Sequence, residues 1–269
     1  MPRTDAELLE AVKRGDAQAV DEVLEKHEKQ VFRFGLRMCG SEEDARDVLQ
    51  ETLVAAFRGL PEFRGDADLS TWLYQIARSF CIKARRRRSG EPAEKVSLDR
   101  PEAQAVPSEG PVPEARAHAR EMGEVLQAAI LSLPESHREV IVLKDVEGLT
   151  AEEVARVLHE DVAAVKSRLH RARGGLRQAV ATLLGPDGWT RATEPCPELA
   201  DELANYASGD IDQATCTQIE AHLANCARCA GACETLQRTV SLCRRIPGDE
   251  VPAPVRAAVR AALGSSMKS

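Results

Sequence analysis

The sequence predicts an all-α protein: two helical domains joined by a flexible linker, with a small helical cysteine-rich domain behind them. Three observations carry that expectation. Apolar residues recur at three- and four-residue spacing through residues 5–88 and again through 114–184, the period of a helix with one buried face. Aromatic residues make up only 3% of the chain and charged residues 29%, which suits Leu/Val/Ala helical cores better than strand-rich ones. Between the two blocks, residues 89–113 hold five prolines and two glycines with almost no periodicity, the composition of a linker. With 269 residues the chain has room for two or three small domains rather than one core.

The first block, residues 1–88, opens with Thr4 followed by Glu7, a capping-box pattern. Ser41 followed by Asp44 is a second helix start of the same type. From there Ala45, Val48, Leu49, Thr52, Leu53, Ala56 and Phe57 form one apolar stripe. The run from Phe63 to Asp68 breaks the period and reads as a loop. A further helix then carries Trp72, Leu73, Ile76, Ala77 and Phe80 and ends in Arg85, Arg86, Arg87 and Arg88. In the second block, residues 114–185, Pro134 suits a helix first turn. Thr150 with Glu153 is another capping box, and Val154, Ala155 and Leu158 give a short apolar face. A break at His159–Asp161 precedes a basic helix from Val162. A short helix, a tight turn and a basic helix make a helix-turn-helix pattern. Gly185 to Gly188 closes the block. Residues 194–245 form the cysteine-rich zone, and 246–269 an Ala/Val/Arg tail able to form a short helix, with no legible function.

The net charge of -7 argues against nucleic acid only until its distribution is read. Lys83 to Arg88 puts five positive charges into six residues. Lys166 to Arg177 carries five more with no acid among them. Residues 41–51 hold Glu42, Glu43, Asp44, Asp47 and Glu51 against a single Arg46. The start of the chain lacks a basic segment followed by an apolar run, and no stretch nears the roughly 18 apolar residues of a membrane span. The expectation is a cytoplasmic protein without a membrane partner. In that reducing compartment its eight cysteines read as metal ligands or thiol sensors before disulfides.

Two blocks resemble the extracytoplasmic-function (ECF) group of bacterial sigma factors: DARDVLQETLVAAFRGLPEFRGDADLSTWLYQIARSFCIKARRRR (residues 44–88) and LPESHREVIVLKDVEGLTAEEVARVLHEDVAAVKSRLHRAR (residues 133–173). Either block alone is weak, since Trp72 sits on an apolar stripe and basic helix ends are often merely solvated; the ordered pair is specific. The resemblance implies a transcription initiation factor, not an enzyme, that works with core RNA polymerase on promoter DNA. It implies that Asp44, Asp47, Gln50 and Glu51 dock on the polymerase. It further implies that Arg64 in the loop and the Trp72 helix open and read the promoter element nearer the start site, capturing an unstacked base. Arg85, Arg86, Arg87 and Arg88 would hold phosphates. Lys166, Ser167, Arg168, His170, Arg171 and Arg173 would contact bases and phosphates of the more distant element. The acidic turn His159-Glu160-Asp161 departs from the family's usual Gly-containing stretch, which bears on base preference.

Six of the eight cysteines fall within residues 196–243. His222 and Cys226 lie one helical turn apart, and Cys229 follows close enough to share an ion with them. Zinc wants four such N/S ligands in a tetrahedron. Cys196, ahead of a helix starting near Glu198, supplies the fourth in an arrangement that resembles the zinc-binding anti-sigma domain. The candidate site is therefore Cys196, His222, Cys226 and Cys229. Cys216, Cys233 and Cys243 are left over and suit a second, softer metal such as copper or cadmium, or thiol oxidation. Cys39 and Cys81 read as core residues. A sigma factor with such a tail resembles the metal-responsive branch of the family, in which the tail senses the ion. A structural or redox-sensing zinc tail is the alternative, and a stand-alone helix-turn-helix regulator a more distant one. A catalytic zinc lacks support, because four protein ligands leave no open position.

Overall fold

The computed structural model describes residues 3–65, 67–90, 114–184, 195–209, 211–244 and 250–266. The linker expected at 89–113 and the Gly185–Gly188 stop lie almost wholly outside them. Twelve α-helices and no strand occur among the described residues. In the first module α1 (Asp5–Lys13), α2 (Ala17–Cys39), α3 (Glu42–Gly59) and α4 (Leu69–Gly90) pack together. Both helix starts read from the sequence form. Thr4 and Glu7 make a complete capping box, and the Ser41 hydroxyl accepts the Asp44 N–H. α2 stops at Gly40, whose φ of 80° needs a residue without a side chain. Val23, Phe32, Phe34 and Met38 of α2 and the predicted α3 stripe supply the core, each large side chain contributing about 1.5–3 kcal/mol.

The second module contains α5 (Glu114–Ser132), α6 (Glu135–Ile141), α7 (Ala151–Leu158) and α8 (Val162–Leu184). Pro134 sits one position earlier than expected, as the N-cap of α6 rather than in its first turn. The predicted Thr150–Glu153 box starts α7, and His159 turns the chain toward α8 with a left-handed φ of 57°. A π-helical turn, Val142–Val146, follows α6 directly. It carries Asp145 inward to the α8 side chain Arg173, at 2.8 Å, both 1% exposed.

The two modules share one apolar core rather than standing apart. Glu147, its side chain fully buried, accepts from Arg33 Nε (2.7 Å) and from the Tyr74 hydroxyl (2.7 Å). Arg78 donates to Glu139 at 2.8 Å, and Arg138 to the Met38 carbonyl at 2.8 Å. Burial beside the Glu147 carboxylate pushes the Tyr74 phenol far up, which keeps it a donor. The tail adds α9 (Ala200–Ser208), α10 (Gln213–Leu223) and α11 (Ala227–Arg244), with α9 and α11 packed on the second module. Finally α12 (Ala253–Ser266) crosses back to the first module. It buries Val255 and Val259 in the common core and pairs Arg256 with Glu28 at 2.7 Å and Arg260 with Glu25.

Candidate metal centre and nucleic-acid surfaces

The tail places its four expected ligands together. Asp212 caps α10 by accepting the Thr215 N–H at 2.9 Å, and that helix delivers His222 from its last turn. A short turn then sets Cys226 immediately before α11, so its sulfur lies where the first backbone N–H groups of that helix point. Arg228 holds the Pro195 carbonyl at 2.8 Å, which anchors the segment bringing in Cys196. The candidate ligand atoms of Cys196, His222, Cys226 and Cys229 all lie within 4.8 Å of one another. The Cys229 N–H, donating to the Cys226 sulfur, is the main cause that draws that thiol down to about 7. Cys196, hydrogen-bonded to the Cys229 sulfur and desolvated, is pushed up to about 11. His222 Nε2 is buried with no protein partner. A buried imidazole with an unpartnered nitrogen, gathered with three sulfurs, fits a tetrahedral metal ion, and zinc's preferred donors are of this kind.

Among the described residues no second group of three or more candidate ligands gathers, and Cys216, Cys233 and Cys243 lie apart from one another. Cys243 is 1% exposed at the far end of α11, in the common core beside the Asp145–Arg173 pair. Cys233 packs with Leu203, Ile219 and Cys229 in the small tail core. Cys216 lies on α10 against the Glu220 carboxylate at 3.6 Å, whose charge together with desolvation pushes its thiol up.

The residues expected on DNA separate into accessible and inaccessible ones. Arg64 is exposed in the loop after α3, and Trp72 is half-buried against Phe63 with ring centroids 5.0 Å apart. Trp72 also lies so close to Gly59 that a β-carbon there would meet it at 3.0 Å. Arg86 and Arg87 are exposed, Arg85 is paired with Glu135, and the Arg88 side chain lies outside the described residues. On α8, Ser167 and Arg171 are exposed, Lys166 and His170 half-buried, and Arg168 is paired with Glu160 at 2.6 Å. Arg173 is a correction: it belongs to the core, and its guanidinium is committed to Asp145. Asp44, Asp47 and Glu51 line a small groove facing Lys83 and Arg87, with Lys83 at 3.4 Å from Glu51; Gln50 is half-buried nearby on α3.

A larger cleft of about 1130 Å³ lies between the modules. Phe63, Arg64 and Trp72 line one side, and Arg156, Glu160 and Asp161 of the helix-turn-helix line the other. Sequence reasoning did not foresee that these two surfaces face each other, nor that Glu139 and Glu147 hold them there.

Residues 23–91 match the family described as Sigma-70 region 2, residues 123–174 match Sigma-70, region 4, and residues 196–230 match "Putative zinc-finger". ECF RNA polymerase sigma factor SigM of Mycobacterium tuberculosis is 35% identical over 184 residues, covering 68% of this chain and 86% of that protein. The chain belongs to the ECF sigma factors. Two further relatives of this sigma factor are SigE of Mycolicibacterium smegmatis and SigW of Bacillus subtilis. SigE is 35% identical, with 62% of this chain and 65% of that protein covered; SigW is 29% identical, with 65% and 96% covered. A solved structure, CnrH in complex with the cytosolic domain of CnrY, covers 65% of this chain and 96% of that one at 26% identity and a TM-score of 0.48. The sigma factor's zinc-finger match and its Cys/His cluster coincide in position. No helix among its described residues is long and apolar enough to cross a membrane.

Proposed function

We propose that this sigma factor directs core RNA polymerase to promoter DNA in the cytoplasm and that its tail, holding zinc, governs when it does so. The module at 1–88 would meet polymerase through Asp44, Asp47, Gln50 and Glu51 and take melted promoter DNA at Arg64 and Trp72. Arg86 and Arg87 would neutralise phosphates nearby. The module at 114–185 would place Lys166, Ser167, Arg168, His170 and Arg171 in a major groove. The single observation that carries the regulatory half is the four-ligand pocket of residues 194–245 on a domain packed against the second module. When bound, the ion supplies cross-linking of α10, α11 and the Cys196 segment, not reaction chemistry.

Support for a switchable arrangement comes from the cleft: Arg64 and Trp72 face Glu160 and Asp161, carboxylates that compete with phosphate for the same cations. Arg168 is already paired with one of them. The closed N/S₃ set and the buried Cys229 favour a second reading, in which the metal is structural and fixes the tail's fold rather than sensing.

Run-off transcription with purified core polymerase tests both halves. A promoter-specific product should depend on this chain. Chelation, or His222→Ala, should remove one equivalent of zinc and alter yield. No specific product under any metal condition would sink the sigma reading. Unchanged yield after complete metal loss would sink metal control and leave promoter recognition standing.

A further inference from the structure

The thiols read from the sequence as ordinary core residues form a pair. Cys39 is the last residue of α2 and half-buried, whereas Cys81 lies within α4 and is fully buried. The Cys81 thiol hydrogen-bonds the Cys39 sulfur. Two guanidinium groups flank the pair. Arg85 lies one turn beyond Cys81 on α4. Arg138 reaches over from α6 to bond the carbonyl of Met38, the residue before Cys39. The Nε atoms of both arginines are buried without a partner. Of the nearby carboxylates, Glu139 is paired with Arg78 at 2.8 Å and Glu135 with Arg85. Cationic surroundings favour thiolates in general, and the hydrogen bond to Cys39 together with burial holds Cys81 as a thiol.

We propose that Cys39 and Cys81 are an oxidisable dithiol, a modification site for hydroperoxides. The Cys39 thiolate attacks the terminal oxygen of the hydroperoxide. The O–O bond breaks, Cys39 becomes a sulfenic acid, and an alcohol leaves after taking up a proton. The Cys81 thiol then attacks the sulfenic sulfur: the S–S bond forms, and the departing hydroxide leaves as water with the Cys81 proton. Two thiols and one hydroperoxide give one disulfide, one alcohol and one water. Closing the pair ties the end of α2 to α4, one turn before the exposed arginines and next to the Met38 carbonyl through which Arg138 joins the modules. This site is separate from the tail: Cys243 is buried, and Cys216 has its thiol raised beside Glu220.

The test is a thiol map of the full chain treated with equimolar hydrogen peroxide and digested with trypsin under non-reducing conditions. Cys39 falls in peptide Met38–Arg46 and Cys81 in Ser79–Lys83, each with no other cysteine. The expected result is a linked species lighter by two hydrogens than the sum of these peptides, vanishing with dithiothreitol. Cys81→Ser should instead stop Cys39 at a sulfenic acid that a dimedone probe captures. The idea is overturned if both peptides remain fully alkylatable while tail cysteines oxidise. It is also overturned if Cys39 passes to sulfinic acid without a linked peptide. The wild-type map decides even if the serine variant does not fold.

Discussion

Arg171 and Arg173 stand two positions apart in one basic run, yet their environments are opposite. Arg171 is exposed and bonds the Ser167 carbonyl of its own helix, whereas Arg173 fills the interior against Asp145. The difference is one of phase. Val165, Leu169, Ala172, Leu176 and Val180 make the buried stripe of α8, and Arg173 falls four residues after Leu169 on that stripe. A charge count over the segment cannot see this; a helical wheel, combined with the acid inside the apolar run Val140–Leu149, can. Arg173→Ala leaves the Asp145 carboxylate buried without its partner, at a cost of about 3–5 kcal/mol. The expected outcome is a large drop in urea midpoint for that variant. Arg171→Ala should unfold within about 0.5 kcal/mol of the parent but bind promoter DNA less tightly. Equal stability of the two variants in the same titration would contradict the assignment.

Among the elements, helix starts were the most legible, because a capping box is a local chemical pattern written within four residues. Thr4 with Glu7 and Thr150 with Glu153 form as read. The π-helical turn was not legible: it has no composition of its own and exists because Asp145 finds Arg173 inside. The tail cluster was legible because metal ligation restricts residue type and spacing, whereas Cys216 on α10 and Cys233 and Cys243, ten residues apart on α11, do not gather with one another. The final helix was legible only as a helix. Val251, Val255 and Val259 lie four apart and are all buried, and Arg256 and Arg260 engage Glu28 and Glu25. Nothing in residues 246–269 alone says which surface receives that stripe. Because α12 lies along α3, which carries the proposed polymerase-docking residues, its release should expose surface. Arg256→Glu combined with Arg260→Glu sets like charges together and should detach the helix. Affinity for core polymerase, followed by fluorescence anisotropy, is expected to rise several-fold. Detachment visible by limited proteolysis with unchanged affinity would show that the helix covers nothing polymerase needs.

For the whole molecule, the relative placement of the modules was beyond the sequence. A proline-rich segment such as 89–113 leaves orientation open, and the contacts that settle it join residues far apart in the chain, such as Arg33 with Glu147 and Arg78 with Glu139. A lone acid on a helix end resembles any solvated charge until its partner is known. Glu147→Ala removes the acceptor shared by Arg33 and Tyr74. It should therefore loosen the closed arrangement, and small-angle scattering is expected to show a larger radius of gyration without loss of helix content. An unchanged radius would mean that the apolar core alone holds the modules together. The docking of α12 on α2 and α3 also has a consequence in time. Synthesis proceeds from the N-terminus, so the surface that α12 covers is made early and its cover last. At about 5–20 residues per second, the roughly 190 residues between the end of α3 and the start of α12 take on the order of 10–40 s to emerge. For that interval the nascent chain offers the first module bare. A polymerase that reaches the translating chain meets a different competitor from one that meets the finished protein.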